Sequence, residues 1–486
     1  MARPEGAYFA MGYYTADGHI QQRGVIDEVR IWDRPITGQV EVQIAVPDVI
    51  AEYKMDGNPL KDDSGQGNDL MVSSLAKTEK GIKGTAIQQN AIGGHLYKTY
   101  SPDSKLFVTE PPLTVTAWFK TEGENAPEPT ILSTHYAGQG SDGYKMALHS
   151  GDDGGRHVLW SAGTGNNHII SSKTYDDGIW HLAVGTWDGA QLQLFVDGIL
   201  QGRSKAEAKC VYANRPRFTI GAQDCNNAAY AKKEKYYFNG RIDEVRILRK
   251  VMTQKEVIEH FNETAPERIV YDGLVWYRWR TGFEIKDGKL ITQPKARTGF
   301  QYGHSRAGRG GALVTAINDK DWTDYTVDFD FCMLPPDPGF KPHHIPTTDI
   351  PSMSVFFRVK DYKESWNEKG HTSYVLGVSS EGKITLSRYF EFYIPGRGYS
   401  SKKSGATARF VSGGTRPLGT LPHHMQLSVV GRRVKVAIDG HQLMSVLDSI
   451  RPGGRKPPMH GGIGISWRYE YMGWIANVKV KHLKEK

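Results

Sequence analysis

The chain has 486 residues, 61 Lys and Arg against 53 Asp and Glu, 39% hydrophobic residues and a mean hydropathy of −0.49. That balance fits a folded globular protein and excludes a disordered or collagen-like chain, and at roughly 100–200 residues per domain it predicts two to four domains. No apolar run reaches the roughly 18 residues of a membrane-spanning helix, and the segment after Met1 lacks the apolar core of a secretory signal.

Residues 24–37 (GVIDEVRIWDRPIT) and 240–253 (GRIDEVRILRKVMT) agree at eight of fourteen positions at an offset of 216. The interval is about one large β-domain. The second copy is therefore expected to close a domain that begins near residue 47, and the first to close one lying mostly upstream. Residues 1–45 then read as the C-terminal remnant of a domain. Within the second copy, period-two alternation puts Asp243 on the face of Val245 and Ile247. A carboxylate there needs backbone amides or a bound cation to offset its desolvation.

Between residues 47 and 262, short apolar alternations recur between Gly, Asp and Asn turns, as at 113–119, 180–186 and 191–196. Asp188-Gly189 and Asp197-Gly198 are turn dipeptides flanked by strand-type alternation, which predicts hairpins. Cys210 and Cys225 bracket a strand–turn–strand pattern and read equally as a local disulfide or as two thiols. Cys332 sits in an apolar strand pattern and reads as a core residue. Thr253 caps a short helix over 253–261, with Val257, Ile258 and Phe261 on one face. Residues 262–266 (NETAP) read as a linker.

Beyond that linker the charge changes sign. Residues 1–262 hold 28 Lys and Arg against 32 Asp and Glu, and residues 263–486 hold 33 against 21, net values of −4 and +12. A basic half suits anionic partners, although a solvated basic surface accounts for the same numbers. Strand patterns continue at 325–331, 353–359 and 434–438, and many short strands at such spacing imply an all-β sandwich or jelly roll.

Several motifs fall in one order: 53–57 (YKMDG) with 63–69 (DSGQGND), 113–119 (LTVTAWF), 177–181 (DGIWH), 187–189 (WDG), 194–198 (LFVDG) and 240–247 (GRIDEVRI). On these, residues 47–262 resemble the laminin-G-like, concanavalin A-like lectin/glucanase jelly-roll domains of bacterial surface and secreted proteins. Residues 283–290, 322–331, 354–358, 461–465 and 475–480 give 263–486 a weaker similarity to a second concanavalin A-like sandwich, nearer the 3-keto-disaccharide hydrolase domain. The resemblance implies two tandem sandwiches preceded by the tail of a third, a glycan context, and an extracellular, periplasmic or cell-surface location. It also implies one structural Ca2+ where an early loop meets the closing strand, with Asp63 (or Asp62) and Asp243 as hard oxygen ligands.

Catalytic signatures are sparse. The Glu-x-Asp-x-x-Glu pair of a retaining glucanase is absent, and Asp324, Asp328 and Asp330 read as the solvent side of one strand. The pairs His343-His344 and His423-His424 lack zinc-ligand spacing, and no nucleophile elbow or phosphate loop occurs. What remains is binding. Sugar recognition needs aromatic faces beside Asp, Asn and Arg groups, which the stretch 135–175 offers in Tyr136, Asp142, Tyr144, Trp160, Asn166 and Asn167. In the basic half Arg388-Tyr389 and Trp467-Arg468 interleave cations with rings, an array suited to sulfated or uronic-acid glycans. Nucleic acid ranks below glycan because no RNA-recognition aromatic signature occurs. The expected function is a non-catalytic carbohydrate-binding or adhesion module of a larger protein. The alternatives are a glycoside-active enzyme with its site in 263–486, and a protein-interaction or spacer module.

Overall fold

The protein is described here from a computed structural model. It describes residues 13–14, 20–21 and 48–483, except for 74–75, 90–92, 124–127, 136–142, 165–166, 207–208, 213–214, 224–235, 266–267, 280–281, 294–311, 316–321, 335–351, 361–371, 391–392, 395–397, 400–404, 415–416, 449–457 and 468–471. The chain divides into two compact units, residues 1–49 and 50–486. In the first, Tyr13–Tyr14 pairs antiparallel with Ile20–Gln21. The 24–37 copy of the repeat, and with it most of the expected remnant, lies outside the described residues.

The second unit is nearly all β and holds two sandwiches. In the first, one sheet runs in the order Ile199–Lys205, Gln191–Val196, His181–Trp187, Leu113–Thr121, Gly240–Leu248, Thr85–Gln89, Lys77–Lys80, with Val49–Tyr53 also on Gly240–Leu248. The facing sheet runs His168–Thr174, Arg156–Gly163, Gly143–Ser150, Thr130–Ser133, Phe218–Ile220, Leu96–Lys98, Met71–Val72. Their inner faces enclose a core that includes Val115, Phe119, Tyr144, Trp160, Trp187 and Leu194, all fully buried. In the second sandwich an eight-stranded sheet from Arg268–Tyr271 to Gly405–Gly414 faces a seven-stranded one. The latter has the order Gly282–Lys286, Lys289–Gln293, Met472–His482, Tyr325–Leu334, His423–Val430, Arg433–Ile438, His441–Leu447. Phe329, Val355, Tyr374, Leu427 and Ile463 belong to its separate core. Each such side chain contributes roughly 1.5–3 kcal/mol on burial.

One device sets the register of a central hairpin in both sandwiches. His181 opens a strand and Asp197-Gly198 closes the turn after the next, and His423 and Asp439-Gly440 repeat the spacing. Asp197 and Asp439 adopt φ of 50° and 51°, and the glycines after them both 77°. Each carboxylate accepts from the histidine Nδ1 at 2.7 Å and from the next residue's backbone N–H, Leu182 at 3.0 Å and His424 at 2.9 Å. The left-handed Asp-Gly pair matches strand twist, and the side-chain bonds lock it.

The first hairpin also ties the sandwiches together. Arg268, on the first strand of the second sandwich, reaches back to Asp197 at 3.4 Å and donates to the Trp180 carbonyl. Its guanidinium carbon stands 5.2 Å from the Trp118 ring centroid and 5.3 Å from that of Phe261. His181 donates on its other side to Asp177 at 3.1 Å. Burial works against the charged imidazole, yet Asp197 and Asp177 outweigh it and raise its pKa to about 9. Burial likewise pushes the Asp197 carboxyl up, but His181 and Arg268 hold it below the usual range.

The helix Gln254–Thr264 starts where the sequence predicts, with Thr253 and Glu256 forming a reciprocal capping box. Val257 and Phe261 are buried, Phe261 stacking on Trp118 at 5.6 Å. Two expectations are corrected here. Residues 262–264 continue the helix rather than begin a linker. Thr264 accepts the Trp118 indole N–H at 3.1 Å, and Asn262 accepts from the Val270 N–H at 2.7 Å, so the connection is pinned. The alternation through 242–247 is broken by a bulge, with Glu244 at φ 48° and a register shift between Asp243 and Arg246. Ile242, Val245 and Ile247 all enter the core, and Asp243 pairs with Trp118 on the opposite face.

The raised His181 pKa fixes a pH dependence. Its stabilising contribution is complete below the unfolded value of about 6.5 and is lost as pH rises through about 9. Asp197→Asn leaves two buried cationic groups undercompensated and is expected to cost about 3 kcal/mol at pH 6. Denaturant midpoints at pH 6 and pH 10 check this, since the variant should also lose most of the parent's pH slope. A slope retained in full would assign it to another group.

Candidate functional site

The outer face of the first sandwich's seven-stranded sheet carries the site. Tyr144, Met146 and Leu148 point into the core, so Lys145 points out; by the same alternation Trp160 is inside and Ser161 outside, Leu96 inside and Tyr97 outside. Cross-strand register aligns these outward residues in one row: Met71 opposite Tyr97, Tyr97 opposite Thr219, Thr219 opposite Ser133, Ser133 opposite Lys145, Lys145 opposite Ser161 and Ser161 opposite His168. With neighbouring strands ~4.8 Å apart, the row is roughly 29 Å long.

Ser133, Thr219 and Ser161 are buried, so the row meets solvent at Met71, Tyr97, Lys145 and His168. At one end the Arg217 guanidinium carbon lies 5.1 Å from the centroid of the half-buried Tyr97 ring, and His95 lies 5.7 Å from Tyr97 and 6.1 Å from Tyr237. In the middle, Lys145 donates to the Gln223 side chain at 3.4 Å, and the Thr219 hydroxyl donates to the Ala222 carbonyl at 2.6 Å. Ser133 accepts from the His135 N–H at 2.8 Å. Burial, reinforced by the Lys145 charge, lowers the His135 pKa to about 3, so the ring is neutral. Its buried Nε2 makes no hydrogen bond. His168 is exposed at the far end.

The residues singled out from sequence distribute differently. Tyr136, Asp142, Asn166 and Arg468 lie outside the described residues, as do the Tyr389 side chain and Cys225. Asn167 is half-buried beside His168. Four others are corrected from ligand contacts to interior groups. Tyr144 is fully buried, its hydroxyl donating to the Leu106 carbonyl at 2.9 Å. Trp160 is fully buried, its indole N–H donating to the Thr186 carbonyl at 3.1 Å. Trp467 is 4% exposed. Arg388 is 3% exposed and lies 3.6 Å from Asp448, which also accepts the Tyr374 hydroxyl at 2.7 Å. In each case the residue falls on the inward phase of its strand, which composition alone does not reveal. The residues that sequence reasoning missed, Tyr97, Ser133, Lys145 and Thr219, come from four separate strands. Lys145 and Thr219 each stand between two inward residues, in Tyr144-Lys145-Met146 and Phe218-Thr219-Ile220, whereas Tyr97 and Ser133 have an inward apolar neighbour on one side only.

Asp243, expected as a calcium ligand, spends its oxygens on the backbone. One accepts from Ile82 at 2.9 Å and Lys83 at 3.4 Å, the other from Glu244 at 2.8 Å. Burial and the neighbouring Glu244 nevertheless push its carboxyl up to about 8. Asp63 is exposed and accepts from the Lys54 N–H at 3.3 Å. Asp62 accepts from Glu52, Ser64 and Asn68. Among the described residues these aspartates form no group of three or more His, Cys, Asp or Glu that could hold a metal. Asp324 accepts from Arg358 at 3.0 Å and from the Gly431 N–H at 2.8 Å. Asp330 is bound by His424 and Asn477, both at 2.7 Å, and although burial raises its pKa these bonds hold it below the usual range.

Residues 94–258 match the laminin-G-like family model described as the concanavalin A-like lectin/glucanases superfamily, about a third of the chain. The resemblance seen in the hairpin and closing-strand motifs is thus shown for that segment. Among solved structures, the chain is similar to domain 4 of AbnA, an extracellular arabinanase from Geobacillus stearothermophilus, solved with arabinotriose. The identity is 16%, over 45% of this chain and 98% of that one, with a TM-score of 0.35. It is similar to the carbohydrate-binding module CBM66 from Bacillus subtilis at 11% identity, over 42% and 94%, with a TM-score of 0.27. It is also similar to a botulinum neurotoxin serotype D/C binding domain at 12% identity, over 87% and 99%, with a TM-score of 0.37. No curated protein matches the chain.

Both corrected tryptophans rest on a glycine. A Cβ on Gly185 would stand 2.2 Å from Trp160, and one on Gly473 2.4 Å from Trp467. Gly185→Ala and Gly473→Ala are therefore expected to destabilise by about 1–3 kcal/mol through overpacking, against the small gain that Gly→Ala gives at an open site. Chemical denaturation followed by tryptophan fluorescence reads this. Unchanged midpoints would mean that the rings are loose enough to leave the core.

Proposed function

We propose that the chain is a non-catalytic carbohydrate-binding or adhesion module acting outside the cell or at its surface, with a glycan lying across the seven-stranded sheet of the first sandwich. The observation that carries this reading is the row from Tyr97 to His168. The Lys145 ammonium and the His168 imidazole stand two strands apart on a rigid sheet, with the half-buried Tyr97 ring at the other end for the C–H face of a sugar, while Ser133, Thr219 and Ser161 between them are buried. The family match of 94–258 includes every member of that row except Met71 and supports a glycan ligand. Acidic polysaccharide falls within the proposed ligand class, because the net +12 of residues 263–486 favours anionic partners. No helix among the described residues is long and apolar enough to cross a membrane.

An enzymatic reading draws less support. Asp330, the most closely bound of the carboxylates on Tyr325–Leu334, is held ionised by His424 and Asn477 and is poorly suited to donate a proton to a leaving group. Calcium at Asp63 and Asp243 stays a proposal, tested by a calcium-dependent shift in melting temperature.

A glycan array followed by calorimetry on the best ligand tests the site. Tyr97→Ala and Lys145→Ala are each expected to weaken binding about tenfold or more while lowering folding stability by no more than about 2 kcal/mol, which leaves both proteins folded. Undiminished affinity in both variants would remove the glycan from this face.

A further inference from the structure

The second sandwich presents an outer face that the first site does not use. On its seven-stranded sheet Val327, Leu427, Val429, Val434, Val436 and Met444 point into the core. The outward residues between them align across five strands: Lys481 opposite Thr326, Thr326 opposite Ser428, Ser428 opposite Lys435, and Lys435 opposite Ser445. Arg433, two residues before Lys435 on the same strand, points the same way. Arg433, Lys435 and Lys481 are all exposed, and none is within ion-pair distance of a described carboxylate. With strands ~4.8 Å apart, three intervals put Lys481 and Lys435 about 14 Å from each other, and Arg433 lies ~7 Å along the strand from Lys435.

The acids of this face are spent elsewhere. Asp328 and Asp330 lie further along their strand and flank His424, at 3.8 Å from Nε2 and 2.7 Å from Nδ1. The face is therefore divided into an end where Asp328 and Asp330 flank His424 and Asp328 lies opposite Lys479, and a cationic end carrying three hydroxyls.

We propose that this cationic end binds a linear anionic polysaccharide, its sulfate or carboxylate groups meeting Arg433, Lys435 and Lys481 and its hydroxyls meeting Thr326, Ser428 and Ser445. The flat array supplies forked and point-charge donors at repeat spacing. Single-stranded nucleic acid is the less fitting polyanion, because it calls for exposed stacking rings. The described outer side chains at this end include no aromatic residue, and Trp474 on the same sheet is buried. The inference gives the anionic part of the proposed ligand class a surface of its own and does not depend on the row at Tyr97.

The test measures binding of the full chain to dextran sulfate, polygalacturonate, unsulfated dextran and duplex and single-stranded DNA, each across a salt series. The parent is compared with Arg433→Gln/Lys435→Gln/Lys481→Gln and with a charge-matched control, Lys61→Gln/Lys77→Gln/Lys80→Gln, in the first sandwich. The expected result is salt-sensitive binding of dextran sulfate or polygalacturonate that weakens on the order of tenfold or more in the first variant and stays near the parent in the control. A dextran sulfate response without a polygalacturonate one specifies sulfate, and the reverse specifies uronate. Equal losses in both variants, absence of polyanion binding, or tighter binding of either DNA would each overturn the proposal. Uncharged glycans that bind at Tyr97 and Lys145 should be held equally by all three proteins, so the two readings fail separately.

Discussion

Register is the constraint on which the two surfaces rest, and an aspartate fixes it in one sheet of each sandwich: the sheet that carries Lys435 in the second, and the sheet facing the Tyr97 row in the first. The backbone of Asp197 and of Asp439 turns through the left-handed region, and each carboxylate closes on a histidine ring and a backbone N–H of the facing strand. A slip of one residue would send every inward side chain of that strand to the solvent face. Lys435 would then enter the core and Val434 would leave it. The outward row at Lys435 is the complement of a core pattern that this hairpin holds in phase, and in the first sandwich the Asp197 hairpin phases the sheet whose core side packs against the strands of the Tyr97 row.

The same turn in the first sandwich has a second task. Arg268 and His181 converge on Asp197, and three nearly buried charged groups occupy a joint otherwise made of Trp118 and Phe261. Desolvating such groups offsets much of their attraction, so their contribution lies less in net stability than in the cost of any other arrangement. An apolar joint could slide, whereas one that strands an arginine cannot do so cheaply. The capped helix and the Asn262 bonds to the Val270 backbone reinforce this, which is why a stretch composed like a linker behaves as a fastener.

Much of this was legible in the sequence. Alternation located the strands, Asp-Gly the hairpins, and Thr253 with Glu256 the start of the helix. The bulge at Glu244 was not legible, because a residue with positive φ breaks the period without changing composition, and so Asp243 was assigned to the wrong face. Nor could the aromatic clusters be sorted. Trp160 and Trp467 sit beside polar residues exactly as binding rings would, and only the glycines opposite them, 25 and 6 residues away in the chain, show that room was made for them inside. The row at Tyr97 draws on strands that span residues 71–219, and no local window contains it.

Charge asymmetry was legible too, but two of the four residues it pointed to do not face solvent. Arg388 and Trp467 are interior, with Arg388 against Asp448, and Arg468 and the Tyr389 side chain lie outside the described residues. Net charge counts every cation alike, whereas a ligand meets only those on an outward phase without a neighbouring acid. Arg433, Lys435 and Lys481 satisfy both conditions: the first two fall on the solvent phase of Arg433–Ile438, and Lys481 is exposed opposite the outward Thr326. Sheet-borne donors also lose little freedom on binding, since the backbone beneath them is already held by ladder pairing, on both sides at Arg433 and Lys435 and on one side at Lys481. A loop of the same composition would need to be ordered first, and the affinity of an extended polymer for it would fall accordingly.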